Sequence, residues 1–183
     1  MNEIKNKVQW ITRTGVFLAV LIVVQLITAS FGNTLVTGSF VNAILIISVM
    51  FNGLSSGIVI ALVSPFIAKL LGIGPFWTLI PFIALGNIVL VLIWYLIGKK
   101  NLLKKPLVSG VCALILGATG KFLVLYLFIV KLVVPVILEL PQPKSAVVSN
   151  MFSIPQLITA LIGGVIALIV SSGSMKRVVD NMQ

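Results

Sequence analysis

The sequence predicts an all-α membrane protein: a single integral membrane domain, residues 1–183, of six transmembrane helices with both termini cytoplasmic. Three observations lead there. Sixty per cent of the residues are apolar, nine per cent are charged and the mean hydropathy is +1.24, a composition far outside that of soluble domains. The apolar residues fall into runs near the ~20 residues that a helix needs to cross the hydrocarbon core. Most of the basic residues stand at the ends of those runs, and on one side only.

Taken in order, Met1 to Arg13 is polar, with Lys5, Lys7 and Arg13, and Thr14 to Phe31 is a retained first span, too long and uninterrupted for a signal-peptide core. Gly32 to Ser39, GNTLVTGS, reads as an uncharged turn-forming link, followed by a short second span over Phe40 to Phe51 and a tight turn over Asn52 to Ser56. Gly57 to Leu71 is the third span, with Pro65 and Lys69 inside it. A Gly-Pro-rich turn (Gly72, Gly74, Pro75) leads to the fourth, Leu79 to Ile97. The loop GKKNLLKKP carries Lys99, Lys100, Lys104 and Lys105. Leu107 to about Val134 is the fifth and longest span. Pro135, Pro141 and Pro143 predict an irregular segment as far as Asn150, Phe152 to Ser171 is the sixth span, and Met175 to Gln183 is a short tail with Lys176 and Arg177.

Six spans put both ends of the chain on one side. If that side is cytoplasmic it receives the N-terminal basic residues, the loop lysines, Lys176 and Arg177, while the opposite connections hold only Lys144, with Lys131 at their edge. The same placement explains the net charge of +10 without nucleic acid. Absences exclude whole classes of chemistry. There is no histidine, Cys112 is the only cysteine and the only acids are Glu3, Glu139 and Asp180. A histidine or cysteine metal site, a serine-histidine triad, a carboxylate pair and an intramembrane carboxylate relay all lack their residues, and no cofactor is expected.

The polar residues inside the spans are the candidates for function, because a lysine at mid-membrane costs roughly 2.5 to 3.5 kcal/mol on insertion scales. Lys69, Lys121, Gln25 and Thr28 fall late in outward-running spans, and Asn87, Asn150 and Gln156 fall early in inward-running ones. All therefore sit in the middle or outer part of the membrane, at the depth of Phe76, Trp77 and Tyr126, whose rings can stack on a flat solute or anchor at the interface. Lys69 and Lys131 can also snorkel to headgroups, and Asn87 can bond a neighbouring helix. Lys121, among Gly117, Ala118, Thr119 and Gly120, has no acid in the membrane to neutralise it. A solute carboxylate or phosphate would do so.

Size, topology and these diffuse features together resemble the substrate-binding S-component of energy-coupling factor (ECF) vitamin transporters, and the resemblance covers essentially the whole chain. It implies a multi-pass protein of a bacterial plasma membrane, with a solute pocket near the outer surface that a long link between helices one and two helps to close. It also implies docking to a transmembrane T-component through small residues at an Ala-x-x-x-Ala spacing, here Gly15 and Ala19 in TRTGVFLAV. Those two can instead pack within the bundle itself. The chain has no phosphate-binding loop of the GxxxxGK[ST] kind, so it is not an ATPase, and the resemblance supplies two ATPase subunits as partners. By the same resemblance Asn33, Lys69, Trp77, Asn87, Lys121, Tyr126, Asn150 and Gln156 form the pocket. Lys69 or Lys121 would counter a carboxylate, which points to pantothenate, with a pyridoxine-like or pyrimidine precursor as the alternative. A stand-alone secondary transporter and a non-transporting scaffold subunit are the readings from other classes, and an enzyme is not expected.

Overall fold

The computed structural model describes residues 2–180, with side chains described for 3–171, and it is all-helical over that range. Helix α1 spans Asn2–Ala29, α2 Thr34–Asn52, α3 Leu54–Leu70, α4 Ile80–Ile93, α5 Pro106–Leu125, α6 Lys144–Met151 and α7 Ile154–Asp180. One tight turn, Trp77–Leu79, leads into α4, and wider π-type turns carry α4 on through Trp94–Lys99 and α5 on through Tyr126–Ile137. Five stretches are long and apolar enough to cross a membrane: Glu3–Ala29, Thr34–Asn52, Trp77–Lys99, Pro106–Ile137 and Lys144–Ser171. The sixth expected span corresponds to α3, which at 17 residues is shorter, about 26 Å at ~1.5 Å per residue.

Several boundaries differ from those the sequence predicts. The link expected over Gly32 to Ser39 is only a short turn, because the Asn33 side chain accepts from the Leu35 amide at 3.0 Å and starts α2 at Thr34. The cap satisfies one of the donors that a helix start leaves free, and nothing in Thr34 to Ser39 breaks a helix. The second span is correspondingly longer than Phe40 to Phe51. The turn expected over Asn52 to Ser56 shrinks to Gly53, at φ 91°, and α3 begins at Leu54. Pro135 does not end the fifth span. Its turn widens, so that the Leu138 amide reaches the Val133 carbonyl at 2.9 Å, five residues back, and the chain stays helical to Ile137. Within the segment expected to be irregular, Lys144–Met151 forms a helix. The tail begins inside α7, and the side chains of Lys176 and Arg177 lie outside the described residues.

Helix α2 runs through the middle of the bundle, against α1, α3 and α7. Its buried face recurs at helical spacing through Ser39, Asn42, Ala43, Ile46 and Val49. The crossing with α7 is close because of Gly163. A Cβ there would stand 2.7 Å from the Ser39 carbonyl oxygen and 2.7 Å from the Asn42 Cβ, so only glycine lets the two backbones meet. One apolar cluster, with Leu21, Leu45, Val49, Ile60, Leu90 and Trp94, fills the half of the bundle nearer the chain's N-terminus. A second, with Leu79, Leu125, Ile129, Val133, Val148 and Phe152, ties the start of α4, α5 with its continuation, and α6 at the other end.

At the N-terminal end a polar cluster closes the first three helices. The Asn52 amide donates to Ser56 Oγ at 2.8 Å and to Thr14 Oγ1 at 3.2 Å, and the Thr14 hydroxyl lies 2.9 Å from Ser56 Oγ and 2.7 Å from the Trp10 carbonyl. The Trp10 indole donates to Ser55 Oγ at 3.1 Å. These bonds pin the start of α1 to the α2–α3 turn.

Candidate functional site

At the opposite end the helices part around a cavity of about 610 Å³, well inside the ~300–1,000 Å³ typical of small-molecule sites. Its walls come from the last turns of α1 (Gln25, Ala29), the start of α2 (Asn33, Thr34, Thr37, Gly38, Val41, Asn42), and Ser64, Pro65 and Ala68 of α3. Ile80, Ile83 and Asn87 of α4, Lys121 of α5, Val148 and Met151 of α6, Phe152 and Gln156 complete them. The connection from Gly72 to Phe76 also borders it, folded in a way only glycine takes easily, with φ 79° at Gly72 and 97° at Gly74. Capping by Asn33 is what turns the residues after it into cavity wall. As the first helical turns of α2 they project side chains at helical spacing instead of running as loose chain.

Lys121 is the centre of this site. It is 4% exposed, and Gly117 and Gly120 beside it face Trp94 and Ile93, so that α5 seats closely on α4. Its Nζ donates to Asn42 Oδ1 at 2.6 Å and to Asn87 Oδ1 at 2.7 Å. The Asn42 amide in turn donates to Thr159 Oγ1 at 3.3 Å, and that hydroxyl donates to the Gln156 carbonyl at 3.1 Å. An ammonium has three donors, so two neutral oxygens leave the third for whatever occupies the cavity. No aspartate or glutamate lines the cavity, and none bonds Lys121 among the described residues.

Two further groups on the wall have no partner. Gln25 Oε1 and Ser64 Oγ are buried without a hydrogen bond, and an unmatched buried polar group costs about 1–3 kcal/mol. The third such atom among the described residues, the Trp94 indole nitrogen, does not border the cavity.

Of the residues singled out in the sequence, Asn33, Asn87, Lys121 and Gln156 line the cavity. Lys69, Trp77, Tyr126 and Asn150 are not on its wall. Lys69 Nζ lies 3.5 Å from the Gly74 carbonyl, and Trp77 is 52% exposed. The Tyr126 ring stacks on Phe122 at 5.6 Å, with Lys131 Nζ 5.4 Å from its centroid, and Asn150 faces outward on α6. Asn42 was not among the candidates, although a lone asparagine in the apolar run after Phe40 was a signal that could have found it. Gly15 and Ala19 are both exposed on α1, and a Cβ at Gly15 would meet nothing within 4 Å. Gly15 therefore packs against nothing in its own bundle.

The description ECF transporter, substrate-specific component matches the chain over residues 9–173, and the chain belongs to that family. It is thus a transporter subunit of the membrane, not an enzyme, and its family binds small-molecule substrates and associates with a T-component and ATPases. No curated protein and no solved structure matches it.

Proposed function

We propose that this substrate-specific component binds a small anionic vitamin in the cavity around Lys121 and hands it to a T-component driven by two ATPase subunits, in a bacterial plasma membrane. In this arrangement α3 crosses the membrane with the other five spans, both termini are cytoplasmic and the cavity opens near the outer surface. The one-sided distribution of lysine and arginine supports that orientation. Gly15 and Ala19 lie on an open helix face, which suits close docking of a partner helix.

The observation that carries the charge of the solute is the Lys121 ammonium, buried against two neutral amide oxygens with no carboxylate on the wall. A solute carboxylate takes the remaining donor and cancels the charge, and a charge-assisted bond of this kind is about twice as strong as a neutral one. Pantothenate suits the chemistry of the site, with its carboxylate for Lys121 and with Asn33, Asn87 and Gln156 on the same cavity wall as polar partners for its amide and hydroxyls. One observation favours a second reading. Phe76 and Phe152 border the cavity, as a ring-shaped solute such as a pyridoxine-like or pyrimidine precursor would use.

Calorimetric titration of the detergent-purified protein with pantothenate and the ring-shaped vitamins tests both. We expect saturable binding of an anionic member and its loss in Lys121→Met. An anionic vitamin bound equally well by that variant would remove the charge assignment.

A further inference from the structure

We infer that the cavity has two chemically distinct poles, with Gln25 and Ser64 forming a second one that takes a hydrogen-bond donor, so that the solute is an acid bearing a hydroxyl or N–H group away from its anionic end. This inference rests on the solute-binding reading of the same cavity. Gln25 is 9% exposed and Ser64 1%, both border the cavity, and neither Gln25 Oε1 nor Ser64 Oγ has a partner.

Ser64 departs from the habit of this chain. Many hydroxyls within its helices bond back to a carbonyl three or four residues earlier, as Thr28 does to Val24 and Ser39 to Leu35, each at 2.7 Å, and Ser48 to Leu45. Ser64 makes no such bond. Its neighbour Pro65 has no N–H, which removes the usual donor to the Ala61 carbonyl one turn back. On this side Gln25 Oε1 thus has no donor, and the Ser64 hydroxyl has neither the carbonyl it would ordinarily donate to nor a donor of its own, so a solute hydroxyl or N–H can answer both.

Gln25 reaches the cavity from α1 and Ser64 from α3, whereas Lys121 reaches it from α5, so the unpartnered polar wall and the ammonium come from different helices. Val41, Ile80 and Ile83 supply apolar lining in addition. A plain carboxylate answers Lys121 and leaves the acceptor wall unmatched. A cation meets Lys121 with like charge and finds no acid. A hydroxy acid or acylamino acid answers both walls.

The test uses matched triplets of probes, with pantothenate (acid plus distal donors), hexanoate (acid alone) and panthenol (donors alone) as the first, titrated into detergent-purified full-length protein. We expect the wild type to bind the bifunctional probe at least about tenfold more tightly than either single-function probe. Gln25→Met and Ser64→Ala should each remove about tenfold of the preference over the plain acid, leave affinity for the plain acid unchanged, and leave the ligand-free Tm equal or higher. A purely structural role would lower that Tm instead. Trp94→Phe, which removes the unpartnered group away from the cavity, should leave the preference intact. Equal binding of the two acids, or a preference untouched in both variants, overturns the acceptor pole while the solute-binding reading stands. A protein that binds no probe of any triplet overturns that reading and this inference with it.

Discussion

At one end of the bundle, Trp10, Thr14, Asn52, Ser55 and Ser56 satisfy one another. At the other end, Lys121, Asn42 and Asn87 share bonds that leave an ammonium donor over, and Gln25 Oε1 and Ser64 Oγ are answered by nothing. Both clusters are built from ordinary polar residues set among apolar helices. The difference lies in closure. A closed network in a low-dielectric setting fixes helices together, and an open one keeps hydrogen-bonding capacity for something that comes from outside.

That contrast predicts opposite phenotypes for similar substitutions. Lys121→Met should give the largest effect, a loss of about 100-fold in affinity for an anionic solute, since a bond to a charged group is worth up to about 3 kcal/mol. Calorimetry reads it directly. The double variant Thr14→Val, Asn52→Leu should lower stability by about 1–3 kcal/mol in detergent unfolding and leave affinity unchanged, because it opens only the closed cluster. If binding falls with it, the two ends are coupled and the contrast fails. Gln25→Met should do the reverse, with about tenfold weaker binding and no loss of Tm. The smallest effect is expected for Lys69→Ala, less than about threefold in affinity, because its exposed ammonium has only the Gly74 carbonyl at 3.5 Å.

The sequence made depth legible and left direction hidden. Apolar run length and basic flanks were enough to find the helical class and to place the spans approximately, and the lack of an acid near Lys121 was already visible. Which way a side chain faces was not. Ala68 borders the cavity and Lys69 does not; Phe76 does and Trp77 does not. Neighbours along a helix, such as Ala68 and Lys69, point about 100° apart, and Phe76 is extended chain just before the turn that holds Trp77, so sharing a depth does not mean sharing a wall. Ser64 was hidden for another reason. A serine in an apolar helix ordinarily bonds its own backbone, and only the packed structure shows that this one is left over. The proline rule misled at Pro135 because it assumes regular α geometry, whereas a wider turn keeps the bonds going. The link at Gly32 looked long because GNTLVTGS is rich in turn formers, yet its asparagine is a helix cap.

Lys121 also has an electrical consequence. On the proposed reading, Lys121 in its charged form, with no acid beside it, would place one positive charge within the membrane-spanning region of the empty protein, and an anion bound there would reduce the local sum to zero. One elementary charge moved fully across a membrane potential changes energy by about 2.3 kcal/mol per 100 mV. Any motion that carried this site through the field would therefore do electrical work with the cavity empty and almost none with a monoanion bound. Under that proposal voltage would bear on the resetting of the empty carrier, and passage with a bound monoanion would be electrically silent.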